Sequence, residues 1–160
     1  MMESAMDFVI QREDPYSLDA QMLMDELSAM LALLSGDGGQ SRFCTDDVCS
    51  ARGAFMIART SHGTLLGCGA FRRFDFGVAE LKRIYARSNK AGVGRAILSA
   101  LETEVVAAGY HTVVLETRAV NRRAIAFYER NGYSPIDGFR SGSDLADARC
   151  FARTLCGIDA

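Results

Sequence analysis

Ile84-Tyr85-Ala86-Arg87-Ser88-Asn89-Lys90-Ala91-Gly92-Val93-Gly94-Arg95 leaves an apolar strand and opens a helix through Gly-x-Gly. Behind it, Ala79–Ala86 reads as a strand. Ahead of it, Ile97, Leu98, Leu101, Val105 and Ala108 share one helical face over 93–108, and Gly109 stops the helix. Amides at a helix start have no intrahelical partner, and the aligned peptide dipoles leave about half a positive charge there. The junction is therefore a candidate anion site, where glycines let backbone approach a phosphate and Lys90 and Arg95 add charge. A tight turn that needs glycine for geometry alone would use the same letters, so this stretch by itself leaves both readings open.

Outward toward the N-terminus, Ala54–Arg59 and Thr64–Arg73 read as strands joined by Ser61-His62-Gly63, and Asp75-Phe76-Gly77 turns into Ala79–Ala86. Residues 7–12 read as a first strand. Ser17 is a candidate N-cap for a helix over 18–34, with Leu23, Leu27, Met30, Leu31 and Leu34 as its apolar face. Gly36, Gly38 and Gly39 end that helix, and 40–52 reads either as loop or as a short helix near Thr45–Cys49. On the other side, Thr112–Thr117 is a continuous apolar run of the kind found in buried parallel strands. Arg122–Arg130 is a further helix closed by Asn131-Gly132, and Tyr133–Ile136 and Arg149–Leu155 are the last strands. A meander followed by β-α-β-α-β predicts a mixed α/β sheet in one domain.

Two nucleotide readings compete at the junction. A dinucleotide site asks for a third glycine where Ile97 stands, although Glu116 fits the acid wanted at the end of the next strand. That fold also begins with its glycine turn, which here lies mid-chain. The phosphate loop of nucleotide hydrolases is excluded, because no Gly-Lys-Ser/Thr follows.

Taken jointly, Glu80-Leu81-Lys82-Arg83-Ile84-Tyr85-Ala86, then Asn89-x-x-Gly92-x-Gly94, then Asn121-x-x-Ala124-x-x-Phe127-Tyr128-Glu129-x-x-Gly132-Tyr133 resembles the GNAT superfamily of acetyl-CoA-dependent N-acetyltransferases. The likeness runs from about residue 54 to 155, and more loosely from residue 7. It implies a single N-acetyltransferase domain over 1–160. The implied sheet is mixed and mostly antiparallel, with a splayed parallel β-α-β cofactor site. It also implies that acetyl-CoA lies between the splayed strands: main chain of Ile84, Tyr85 and Ala86 along the pantetheine arm, amides of Ala91, Gly92, Val93, Gly94 and Arg95 on the pyrophosphate, Asn121 and Tyr128 by the thioester. Asn89 stands where the superfamily more often has Arg or Gln; its short side chain still bonds nearby amides, and a weaker hold on the cofactor is the expectation.

Direct N-acetylation needs a neutral amine, a polarised thioester carbonyl and a proton for the departing thiolate. An alkyl amine of pKa near ~10 is neutral in roughly one molecule per thousand at neutral pH, so a base helps. Glu80, on the strand that enters the site, is the candidate base; a salt-bridged strand carboxylate beside Lys82 and Arg83 is the plainer alternative. Tyr128 is the candidate acid, with Phe127 and Ile125 left to pack its helix; a core aromatic is the plainer alternative. A covalent acyl-cysteine route would need a Cys beside a base, and none is visible. A non-catalytic acyl-CoA-binding or regulatory module on the same fold is the second functional reading.

Composition sets the outer limits. With 160 residues, 49% hydrophobic and 24% charged, the chain is neither disordered nor in need of staples. No apolar run approaches the ~20 residues that span a bilayer, and the first residues carry no secretory signal. Five scattered cysteines suit a reducing cytoplasm, and with only two histidines no metal site is expected. Nucleic acid is not an expected partner, for want of a basic run. Ten acids against two bases give residues 1–50 a charge of −8, while the remainder carries +6. The expected partner is a small-molecule amine, with a cation as first guess because the resemblance brings the acceptor to that acidic region; a homodimer is the assembly considered.

Overall fold

The computed structural model describes residues 7–39, 43–88, 92–139 and 147–155. In chain order the elements are β1 (Phe8–Arg12), α1 (Leu18–Ser35), a 3-10 turn (Thr45–Val48), β2 (Ala54–Thr60), β3 (Leu65–Asp75), β4 (Val78–Ala86), α2 (Val93–Ala107), β5 (Thr112–Arg118), α3 (Arg122–Arg130), β6 (Ser134–Ile136) and β7 (Ala148–Thr154). The seven strands form one sheet in the order β1-β2-β3-β4-β5-β7-β6. Every neighbouring pair is antiparallel except β4 and β5. That arrangement is the mixed, mostly antiparallel sheet expected, and it excludes the doubly wound parallel sheet of the dinucleotide reading.

Local chemistry accounts for the element ends. Ser17 Oγ accepts from Ala20 N at 3.1 Å and starts α1. Gly36 closes it in the left-handed region at φ 80°, where a Cβ would be penalised. One face of the sheet carries α2 through Ile97, Leu98, Leu101 and Val105, packed with Phe71 and Leu81. The opposite face carries α1 over Phe55, Ile57 and Cys68. The buried stripe of α1 is Ala20, Leu23, Met24, Leu27 and Ser28, not the set extending to Met30 and Leu34, which are 38% and 42% exposed. Spacing allowed either stripe; the sheet selects the one whose Ser28 meets the half-buried Arg83.

Gly67 on β3 has no room for a side chain: a Cβ there would lie 2.4 Å from Tyr85 O and 2.9 Å from Ile97 Cδ1. The near atom is backbone of β4, which cannot swing aside. Gly67→Ala is expected to lower the unfolding free energy by about 1–3 kcal/mol, read from the urea midpoint at unchanged m-value. An unshifted midpoint would show that β3 and β4 separate freely at this point.

Candidate active site

β4 and β5 pair only at Val78↔Thr112, Ala79↔Val113 and Glu80↔Val114. Beyond Glu80 the two parallel strands part, so residues 81–86 present a backbone edge to which no described strand pairs. Such an edge accepts an extended ligand as an added strand. Ile84, Tyr85 and Ala86 lie at its far end, just before the chain reaches α2.

Within that edge β4 carries a bulge. Lys82 faces Ala70 and Tyr85 faces Cys68, so Arg83 and Ile84 together oppose Gly69. Arg83 sits at φ 57°, among the described residues the one non-glycine in the left-handed region, at a cost of about 1–2 kcal/mol. The extra residue turns its side chain onto the α1 face. There the guanidinium donates to Met24 O at 2.9 Å, Gly38 O at 3.2 Å and Ser28 Oγ, and lies over the Phe43 ring at 5.7 Å. Its Nε is buried and finds no partner among the described residues. Burial lowers the Arg83 pKa. Sequence reasoning treated Arg83 only as a neighbour of Glu80; nothing in KRIYA announces a bulge, because a bulge is a property of pairing.

At the far end of the gap, Gly92 is the N-cap of α2 at φ 70°, with no side-chain cap among the described residues and no acid in the first turn. The amides of Val93, Gly94 and Arg95 are therefore available to an anion. Asn89, Lys90 and Ala91 lie outside the described residues. The two glycines differ in kind. Gly92 needs its positive φ, whereas a Cβ at Gly94 would sit 3.5 Å from Phe127 Cε1 and 3.9 Å from Ala86 Cβ, ordinary contact. Gly92→Ala should weaken coenzyme A binding by about 5- to 30-fold, the worth of roughly 1–2 kcal/mol of left-handed strain. Gly94→Ala should change it less than about threefold. Calorimetry on both variants checks the contrast, and equal losses would overturn it.

Asn121 caps α3, its Oδ1 accepting from Ala124 N at 3.2 Å. Tyr128 is the buried side chain of that helix, 8% exposed, with edge-on contacts to Phe127 at 5.2 Å and Tyr133 at 5.7 Å. Phe127 and Ile125 pack against the core as expected, from half-buried positions, but they do not leave Tyr128 free: it is itself a buried member of that core. Burial raises the Tyr128 pKa, and its hydroxyl makes no hydrogen bond among the described residues. Tyr133, by contrast, donates to Glu102 Oε2 at 2.6 Å. Cys68 is buried, its thiol pushed up to about 12 by desolvation and directed at Arg83 O, 3.4 Å away; it is a poor nucleophile.

Glu80 lies 1% exposed at the root of the gap. Arg72, directly across in β3, donates to Oε1 from Nε at 3.1 Å and Nη2 at 3.0 Å, and also reaches Asp47 at 2.7 Å. Lys82 Nζ stands 3.5 Å from Oε2. Arg83, the other cation foreseen beside Glu80, points to α1 instead. Five of the ten acids in residues 1–50 pair with later arginines: Asp19 and Glu13 with Arg59, Glu26 with Arg87, Asp37 with Arg118 and Asp47 with Arg72. Part of the charge asymmetry is thus met by ion pairs between early and late segments.

A splayed parallel pair, a bulge within its open edge and a helix opening after Gly-x-Gly can be set against known proteins. The sequence model of the acetyltransferase (GNAT) family matches residues 21–133. The chain belongs to the GNAT family. It is an acyltransferase. This GNAT chain is 30% identical over 128 residues to an IAA acetyltransferase of Azospirillum brasilense, covering 78% of the chain and 83% of the relative. A Klebsiella pneumoniae protein assigned to the acyl-CoA N-acyltransferases superposes with a TM-score of 0.77 at 26% identity, over 93% of this chain and 98% of that one. An aminoglycoside 6'-N-acetyltransferase complexed with coenzyme A superposes at 0.68 with 18% identity, over 95% and 99% of the two chains, a likeness of fold. Among the described residues no helix is long and apolar enough to cross a membrane.

Proposed function

We propose that this GNAT acetyltransferase moves an acetyl group from acetyl-CoA to a primary amine of a small molecule by direct attack. The observation that carries the reading is the six-residue bare edge of β4 leading into the uncapped start of α2. An extended pantetheine arm fits the first and a pyrophosphate the second. Ile84, Tyr85 and Ala86 would bond the arm, residues 91–95 the phosphates, and Asn121, its Oδ1 engaged as a cap, would offer its amide N–H groups near the thioester. In the transfer the amine nitrogen bonds the carbonyl carbon and the carbon–sulfur bond breaks. Tyr128 gives its phenolic proton to the departing thiolate, and Glu80, held by Arg72 at Oε1 and Lys82 at Oε2, takes the proton lost by nitrogen through a water. A second reading of Glu80, favoured by its burial against Arg72, makes it a purely structural ion-pair partner.

Calorimetry with acetyl-CoA, followed by thiol release with a panel of primary amines, tests the proposal. Micromolar binding and amine-dependent release above hydrolysis are expected. No binding at millimolar concentration would sink it.

A further inference from the structure

Two arginines, one from each splayed strand, reach the same short segment. Arg83 on β4 donates to Gly38 O at 3.2 Å, and Arg118 at the end of β5 stands 3.6 Å from Asp37 Oδ2. The segment between Gly36 and Gly39 has its own hinges, both glycines being left-handed at φ 80° and 79°. Asp37 Oδ1 accepts from Gly39 N at 2.8 Å, which makes the turn a unit that moves together. Arg118 also donates to Asp147 Oδ2 at 2.9 Å, so the segment leading into β7 joins the same tie. The segment thus bridges strands that no longer hydrogen-bond to each other. Arg83 is committed to this: its groups bind α1 and the turn, and it holds a strained backbone to do so.

We infer that Arg83 and Arg118 are positioning residues that latch Gly36–Gly39 across the gap, so that this turn takes its working shape when a bound cofactor sets the distance between β4 and β5. The inference rests on the proposed acetyl-CoA site. A ligand that fixes the two strands fixes the two anchor points, and the turn tied to both must follow. Coupling of this kind is reciprocal: ordering the turn also favours the cofactor-filled gap.

The test is amide hydrogen exchange across the whole chain with and without saturating coenzyme A, for the parent protein, Arg118→Gln and Arg83→Met. Arg118→Gln lies at a strand end and keeps the test alive if Arg83→Met, which leaves Met24 O and Ser28 without their donor, does not fold. In the parent, coenzyme A should slow exchange at Gly36 and Gly39 about tenfold more than at β1, the far edge strand. In either variant calorimetry should still find coenzyme A binding, while the extra slowing at the turn falls below about twofold. A merely structural role would raise exchange throughout and leave the ligand-dependent difference in place, which would overturn the inference. Slowing in the parent that is uniform along the chain would also overturn it. If the parent does not bind coenzyme A, the functional proposal itself has failed and the latch falls with it.

Discussion

Tyr128→Phe should bind acetyl-CoA nearly as the parent does and lose about 10²–10⁴-fold in kcat, the usual worth of a positioned general acid. The ring is what packs: its edge-on contacts to Phe127 and Tyr133 survive the substitution. The hydroxyl has no partner among the described residues, so its loss should leave the denaturation midpoint unchanged or slightly raised. Burial keeps the phenol protonated beyond the ordinary tyrosine range. An acid acts only while it holds its proton, so its contribution is present below that raised pKa and lost above it. The alkaline limb of kcat should therefore lie above pH 10, the ordinary tyrosine value. Steady-state kinetics from neutral to alkaline pH measure both effects. Full turnover at saturating substrate in a normally folded Tyr128→Phe protein would make Tyr128 a packing residue.

Removing Arg72 should give the largest loss of stability. Arg72→Met takes away both hydrogen bonds on Glu80 Oε1 and leaves a carboxylate that is 1% exposed without its cross-strand cation. Breaking a buried pair from one side costs about 3–5 kcal/mol, a large part of the ~5–15 kcal/mol that holds a domain together. Asp47, more exposed, is resolvated at little cost. Arg72→Met/Glu80→Leu should recover part of the loss, because the buried carboxylate goes with its partner, while Lys82, its side chain 12% exposed, gives up its contact with Glu80. Urea titration of the three proteins decides it, and a single variant as stable as the parent would mean that the pair contributes nothing. Glu80→Gln addresses the chemistry. If Glu80 is the base, the rate should fall mostly near neutral pH and recover toward the amine's own pKa, where solvent supplies free amine. A profile of unchanged shape would leave Glu80 with a structural role.

Much of the fold was legible from local pattern. The 93–107 helix, the apolar β5 run and the Gly-x-Gly junction declare themselves, because periodicity and capping act within a turn or two of the chain. The side chains that shape the candidate site were harder to read. The spacing of α1 offered overlapping stripes, and α3 offered Phe127 and Tyr128 side by side; which one faces inward depends on what each helix lies against. Glu80 was given Lys82 and Arg83 as neighbours by adjacency, whereas β3–β4 register brings Arg72 opposite it and the bulge carries Arg83 off to α1.

The sequence by itself determined where strands and helices begin, that a glycine-bearing helix start follows β4, and, through the joint motif from Glu80 to Tyr133, the family. Only the tertiary structure decided that β4 and β5 part after Glu80, that Arg83 is the extra residue in β4, and that arginines from both strands meet the turn after α1. Those features arise from pairing between segments tens of residues apart, where one residue of register moves a side chain to the other face of the sheet.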